Sequence, residues 1–165
     1  MLAELQLLVR DLRPEDWPEV AAIYHDGIRG GLATFETEVP PWEAWDAAHP
    51  LRVVAERNGE LVGWAAAGPV SSRWAYRGVA ESSVYVARGA QGAGIGRAVM
   101  EALIDQSKRA GIWTLQTSIF PENEASLALH RGVGFRVVGV RIGIAKRDGL
   151  WRDTVLMERR AEGVE

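Results

Sequence analysis

A chain of 165 residues with 19 basic and 22 acidic side chains, a formal net charge of −3 and 47% apolar residues reads as one globular domain, 1–165. That balance excludes a disordered or low-complexity polypeptide, and the absence of cysteine excludes a disulfide scaffold, a thiolate metal site and a cysteine nucleophile at once. The histidines His25, His49 and His130 have no metal-ligand spacing, so no metal is expected. No apolar run has the length of a membrane span and residues 1–8 lack the basic start of a signal peptide. The expected location is cytoplasmic, with no membrane contact.

Weak alternation over Leu7–Leu12 predicts a first strand. Pro14, Glu15 and Asp16 open a helix whose apolar positions Val20, Ile23, Tyr24 and Ile28 share a face, and Gly30 and Gly31 stop it. Pro40 and Pro41 precede a short helix around Trp42–Trp45. Strands over Arg52–Glu56 and Leu61–Ala67 flank Asn58 and Gly59, a strong hairpin signal. After a polar connection over Gly68–Gly78 come a strand at Val79–Ala87, a helix at Gly94–Ala110, a strand at Ile112–Phe120 and a helix at Asn123–Val133. Strands over Phe135–Ala145 and Leu150–Glu158 close the chain around Asp148 and Gly149. The order β-α-α-β-β-β-α-β-α-β-β predicts an α+β fold, a central mixed and mostly antiparallel sheet flanked by helices, and not a doubly wound one.

Charge is divided unevenly: residues 1–70 carry 12 acids and 5 bases, whereas residues 71–165 carry 10 acids and 14 bases. The basic half contains a glycine loop, Gln91, Gly92, Ala93, Gly94, Ile95, Gly96 and Arg97, placed after a strand and opening a helix. Glycines let backbone N–H groups converge on a phosphate, and a helix start adds a positive dipole end. Arg88 and Arg97 add charge at its edges. No Gly-Lys pair exists for a P-loop, and Arg97 stands where a dinucleotide loop needs its third Gly or Ala, with no acid ending the next strand.

The remaining pattern, Gln91-x-x-Gly94-x-Gly96, resembles the acyl-CoA pyrophosphate loop of the GNAT superfamily of N-acetyltransferases, and the order of elements is similar to theirs along nearly the whole chain. A second run agrees: Asn123, Ser126, Leu129, His130, Gly134 and Phe135 resemble the helix beside the pantetheine arm. The segments Ala80–Val86, Thr34–Glu38 and Gly149–Asp153 resemble the subgroup that acetylates phosphinothricin, methionine sulfoximine or methionine sulfone on the α-amine. Trp74, Arg77 and Gly78 depart from that subgroup's pattern.

The resemblance implies acetyl-CoA as co-substrate, held by backbone groups of Val84 and Val86, by Gln91 through Arg97, and by Asn123 and Ser126, with an N-cap as the plain alternative for Asn123. With no cysteine and no serine in a nucleophile elbow, a sequential ternary complex is the simplest route. Strand alternation puts Glu81, Ser83 and Tyr85 on one face, with Glu81 as the base candidate. His130 and Tyr85 compete as general acid. For the acceptor the resemblance implies Phe35, Arg73, Tyr76 and Tyr85, the arginine suiting a carboxylate or phosphinate. Of the seven tryptophans, Trp17, Trp42, Trp45, Trp64 and Trp113 are expected in the core, and Trp151 in a terminal hairpin that contributes to a homodimer. The net acidic chain has no lysine-rich stripe for nucleic acid. Alternative acceptors are a polyamine, an aminoglycoside or a protein N-terminus. A CoA-binding sensor without catalysis is the alternative from another class.

Overall fold

In the computed structural model, which describes residues 6–164, strands β1 (Leu7–Asp11), β2 (Leu51–Arg57), β3 (Glu60–Pro69), β4 (Val79–Val86), β5 (Thr114–Ile119), β6 (Arg136–Arg147) and β7 (Leu150–Arg160) form one sheet in the order β1-β2-β3-β4-β5-β7-β6. Helices α1 (Trp17–Gly30) and α2 (Trp42–Ala48) cover one face, and α3 (Ile95–Arg109) and α4 (Glu124–Gly132) the other. Residues 1–5 and 165, part of the expected domain and of the segment without a signal-peptide start, lie outside the described residues. Every strand pair is antiparallel except β4 with β5, so the mixed sheet expected from the element order is the one formed.

Both hairpin signals behave as their turn chemistry requires. Asn58 and Gly59 have φ of 54° and 79°, and Asp148 and Gly149 have φ of 51° and 79°, positive at both central positions, as in the tight turns whose twist matches paired strands. Strands β2, β3, β6 and β7 run a residue or two further than the alternation suggests, because pairing with a neighbour holds positions such as Lys146 and Arg160 that apolar patterning cannot flag. Strands β1, β4 and β5 stop one to three residues short of the expected spans. The polar connection before β4 contains a short 3-10 turn, Trp74–Tyr76.

Alternation in β2 and β3 divides the core. Val53, Ala55, Ala65 and Ala67 face α3, whereas Val54, Trp64 and Ala66 face α1 and α2. Helix α3 buries Ile95, Val99, Met100, Leu103 and Ile104 along one stripe, and the alanines of β3 let that stripe approach closely. On the opposite face Trp64 lies flat against Tyr85 at 4.7 Å between ring centroids, and Trp45 of α2 meets it edge-on at 5.5 Å. Trp45 and Trp64 are the core residues expected of them; Trp17, Trp42 and Trp113 are only partly buried. Trp113 instead lies against Gly78, where a Cβ would come within 2.1 Å of its ring.

Trp64 joins helix roof to sheet and supports Tyr85 from below. Trp64→Ala should therefore lower the unfolding free energy by about 3–5 kcal/mol, the range for deleting a large buried aromatic, as measured by urea denaturation. An unchanged midpoint would mean that the roof is held elsewhere.

Candidate active site

Strands β4 and β5 pair through only three positions, Val79 with Thr114, Ala80 with Leu115 and Glu81 with Gln116. Beyond them each strand is held on its outer side alone, β4 by β3 up to Val86 and β5 by β7 up to Ile119. The inner edges of Ser83–Val86 and Thr117–Ile119 therefore diverge and leave a gap in the middle of the sheet. Two cavities of roughly 500 and 730 Å³ adjoin there, both lined by Ala33, Val84, Tyr85, Asn123 and Ser126.

The larger cavity runs from β4 to the glycine loop. Val84, Tyr85, Val86, Gln91, Gly92, Gly94, Ile95, Gly96, Arg97, Asn123 and Ser126 all line it, with Arg88, Leu129 and the end of α1. Ala93 is exposed in the same loop and does not line it. Gly92 and Gly94 have φ of 79° and 78°, and nothing lies within 4 Å of where their Cβ atoms would be. Their requirement is thus left-handed backbone, not space, and it turns the chain into α3, whose first residues Ile95, Gly96 and Arg97 line the groove where a helix leaves its N–H groups unpaired. Arg97 bonds Glu101 at 2.9 Å on the exposed helix surface, a pairing weak enough to yield to a phosphate. An unpaired strand edge, a glycine cradle and a helix N-terminus suit an extended ligand ending in a pyrophosphate.

The smaller cavity lies on the α2 side of the gap and reaches through it. Glu81 and Tyr85 line it, as does Phe35, whose ring meets Phe120 edge-on at 4.8 Å. Glu81 keeps surface open to the cavity while the wall around it desolvates the carboxyl. Burial pushes its pKa up from the ordinary value, and Arg141 on β6 pulls more weakly the other way. Burial also raises the Tyr85 phenol, helped by Tyr24 and offset by its contact with Thr34, so Tyr85 keeps its proton at neutral pH.

On the far side of the gap His130 is 1% exposed and its Nδ1 lies 2.7 Å from the Ser126 carbonyl. A carbonyl only accepts, so Nδ1 carries the proton and donates it. Burial pushes the pKa of His130 down, so the ring is neutral and Nε2, without a partner among the described residues, is an acceptor. In this state His130 has no proton to give from Nε2, which departs from the general-acid role expected of it. Asn123 performs the plain alternative considered for it: Oδ1 accepts from Ser126 N at 3.2 Å as the N-cap of α4. Its Nδ2 donates to Leu32 O at 3.1 Å, which pins the loop after α1 to the start of α4 between the two cavities.

Arg73 and Tyr76 are not brought to the cavity. They lie at an exposed turn, the guanidinium 5.5 Å over the Tyr76 ring, and neither lines either pocket. The resemblance implies an acceptor contact for both, but the 3-10 turn at Trp74–Tyr76 holds them on the exposed surface before β4 begins. The structure adds Thr34, Glu36 and His49 to the cavity wall. The Thr34–Glu38 segment was singled out in the sequence, but His49 sits in no motif. Among the described residues no cluster of His, Cys, Asp and Glu could hold a metal.

Residues 9–135 match the Acetyltransferase (GNAT) family. A phosphinothricin N-acetyltransferase of Alcaligenes faecalis is 39% identical over 168 residues, covering 96% of this chain and 84% of the relative. An L-methionine sulfoximine/L-methionine sulfone acetyltransferase of Pseudomonas paraeruginosa is 31% identical, covering 91% of this chain and 92% of the relative. The crystal structure of a GNAT superfamily phosphinothricin acetyltransferase from Sinorhizobium meliloti in complex with acetyl-CoA matches at a TM-score of 0.82 and 30% identity, over 96% of this chain and 95% of that one.

A side chain at Gly94 must be held left-handed, which costs roughly 1–2 kcal/mol. Gly94→Ala should accordingly weaken acetyl-CoA binding by about tenfold in calorimetry, since ~1.4 kcal/mol is a factor of ten. Gly132→Ala, with open space around it and ordinary backbone, should leave the affinity unchanged.

Proposed function

This chain belongs to the GNAT acetyltransferase family, and on that premise we propose that it moves the acetyl group of acetyl-CoA to the α-amine of a small amino acid or a toxic analogue of the phosphinothricin, methionine sulfoximine or methionine sulfone type. The observation that carries this reading is the meeting of two cavities at Val84 and Tyr85, one suited to a pyrophosphate-bearing chain and the other lined by carboxylates. Acetyl-CoA supplies an acetyl thioester. The unpaired edge of β4 at Val84 and Val86 holds its pantetheine arm, and the N–H groups from Gly92 to Arg97 hold its pyrophosphate.

Transfer proceeds within a ternary complex. Glu81 takes a proton from the substrate ammonium, leaving a neutral nitrogen to bond to the acetyl carbon as the carbon–sulfur bond breaks. Tyr85, protonated at neutral pH and in contact with both cavities, gives its proton to the leaving sulfur, and the second proton shed by the acylated nitrogen restores the phenol. His130, neutral with Nε2 as acceptor, orients a donor in the gap. Phe35 and Tyr85 wall a space for a short side chain, which favours a small acceptor over a polyamine or an aminoglycoside. Arg73 and Tyr76 receive no contact with a substrate bound in this chain's own cavity. The nearest support for an acidic end is Arg141, whose charge reaches Glu81.

The chain is also proposed to work as a homodimer. Hairpin β6–β7 exposes Val138, Val140, Ile142, Ile144, Leu150 and Trp151, with Ile142 85% exposed, an apolar strip larger than scattered surface residues make. A second copy is the occupant proposed for that strip, since the same apolar face on two chains is self-complementary.

Incubation with acetyl-CoA and a panel of phosphinothricin, methionine sulfone, methionine sulfoximine, spermidine and an aminoglycoside, with released CoA measured, tests the substrate class. Turnover confined to the polyamine would overturn it; acetyl-CoA binding with no turnover of any amine would favour the sensor. Glu81→Gln should lower kcat by about 10²–10⁴ while acetyl-CoA affinity stays unchanged. Because the Glu81 carboxyl is raised and must be ionised to accept a proton, kcat/KM should fall as pH drops through a value above the ordinary glutamate range. For the dimer, light scattering should give twice the chain mass, and Ile142→Asp should halve it.

A further inference from the structure

The acceptor cavity contains a second titratable group that the proposed chemistry leaves unused. His49 follows the last turn of α2 and lines the same wall as Glu81. It is brought there by a close approach. Gly68 of β3 is the pairing partner of Glu81, and a Cβ on Gly68 would fall 1.9 Å from the Ala48 carbonyl oxygen and 3.9 Å from the His49 Cα. Only glycine at 68 lets the end of α2 cross the sheet beside Glu81. The imidazole lies on the Trp45 ring at 4.6 Å and 22°, and its Nδ1 is 2.8 Å from the Trp45 carbonyl oxygen. Since that oxygen accepts, Nδ1 bears the proton and Nε2 presents a lone pair.

We propose that His49 is a second acceptor for the substrate's ammonium group, its Nε2 taking one N–H hydrogen bond while Glu81 takes another, so that the nitrogen is held from two sides before Glu81 removes its proton. The inference rests on the reading of this cavity as the amine site and deepens it. His49 transfers no proton itself; it binds and orients.

Electrostatics favour the role. Burial, and the charge of Arg52, push the His49 pKa down against the raising effect of the Trp45 carbonyl, so the ring is neutral when Glu81 is ionised. Arg52 is itself paired with Asp46, and the other charged or titratable groups lining the cavity are Glu36, Glu81, Tyr24, Tyr85 and His130. The lining contains Glu36 and Glu81 but no Lys or Arg, an environment suited to a cation. Protonated His49 would repel the ammonium, so binding needs both Glu81 ionised and His49 neutral.

The test uses the amine that the wild-type protein turns over best in the panel above, with His49→Gln and His49→Phe. The expected result is a KM for the amine raised about tenfold or more in His49→Phe, less in His49→Gln, with acetyl-CoA affinity unchanged in both. The acid limb of the wild-type kcat/KM profile should fall with a slope of two, and in both variants with a slope of one. In wild-type protein, the imidazole NMR resonances lost in His49→Gln should shift when that amine and CoA are added together, a readout that needs no folded variant. An unchanged amine KM and a single-slope limb in wild type, or an unmoved His49 resonance beside active enzyme, would overturn the role of His49 alone. Wild-type protein that binds acetyl-CoA but turns over no amine would overturn both the amine-site reading and this inference.

Discussion

The short parallel ladder between β4 and β5 is the constraint from which the site follows. Three paired positions keep the two halves of the sheet together, and each strand then follows the neighbour on its other side. A sheet that stayed paired here would have no through-passage and no free strand edge. Separation leaves the backbone groups of β4 available as a template for an extended ligand and places Glu81 at the last paired rung, where a carboxyl is part-desolvated yet open to a substrate. The same gap admits side chains from both faces, so Tyr85 from one and His130 from the other line a common space.

Holding such a gap open requires rigid support, which differs on the two sides. On the cofactor side it is aliphatic: Ile95, Val99 and Leu103 of α3 pack on the small residues of β3, and Asn123 ties the loop after α1 to α4. On the acceptor side it is aromatic. His49, Trp45, Trp64 and Tyr85 pack in that order of contact, Tyr24 closing against both Trp64 and Tyr85, with centroids 4.6–5.5 Å apart. Flat rings with few rotatable bonds fix the positions of Tyr85 and His49 without hydrogen bonds at every atom, and the buried indole nitrogens of Trp45 and Trp64 indeed have no partner among the described residues. Arg147 of the terminal hairpin adds a polar tie, donating to the carbonyls of Ile28 and Thr34, so the loop that lines the acceptor cavity is held by the hairpin.

Much of the cofactor groove is legible in the sequence because its requirements are local. Positive φ at Gly92 and Gly94, an N-cap at Asn123 and a strand leading into a helix are properties of a few consecutive residues, and each leaves a pattern. The acceptor cavity is assembled from α2, β4, β5 and the loop after α1, which no single pattern spans. The resemblance assigns Arg73 to the acceptor, but it sits on an exposed 3-10 turn, whereas His49, distant in sequence, is brought in by the space at Gly68. The acidic first half, without evident purpose in the sequence, acquires one in part: Glu36 contributes charge to a cavity suited to a cation.

By itself, the sequence determined the order of elements, both tight hairpins, the glycine cradle and the absence of any thiol chemistry, since these depend on residue types and short spacings. Tertiary structure decided which ionisable groups are desolvated and which residues share the cavity beside Glu81. Glu81 is raised, and His49 and His130 are kept neutral, by walls built from residues far away in the chain. Which histidine nitrogen carries the proton is set locally, because Trp45 and Ser126 each offer a carbonyl four residues before the ring, whereas the burial that lowers both imidazoles comes from the packed chain. The uneven charge noted at the outset is composition; which carboxylate is desolvated, as Glu81 is, is a matter of burial, and burial is a property of the fold.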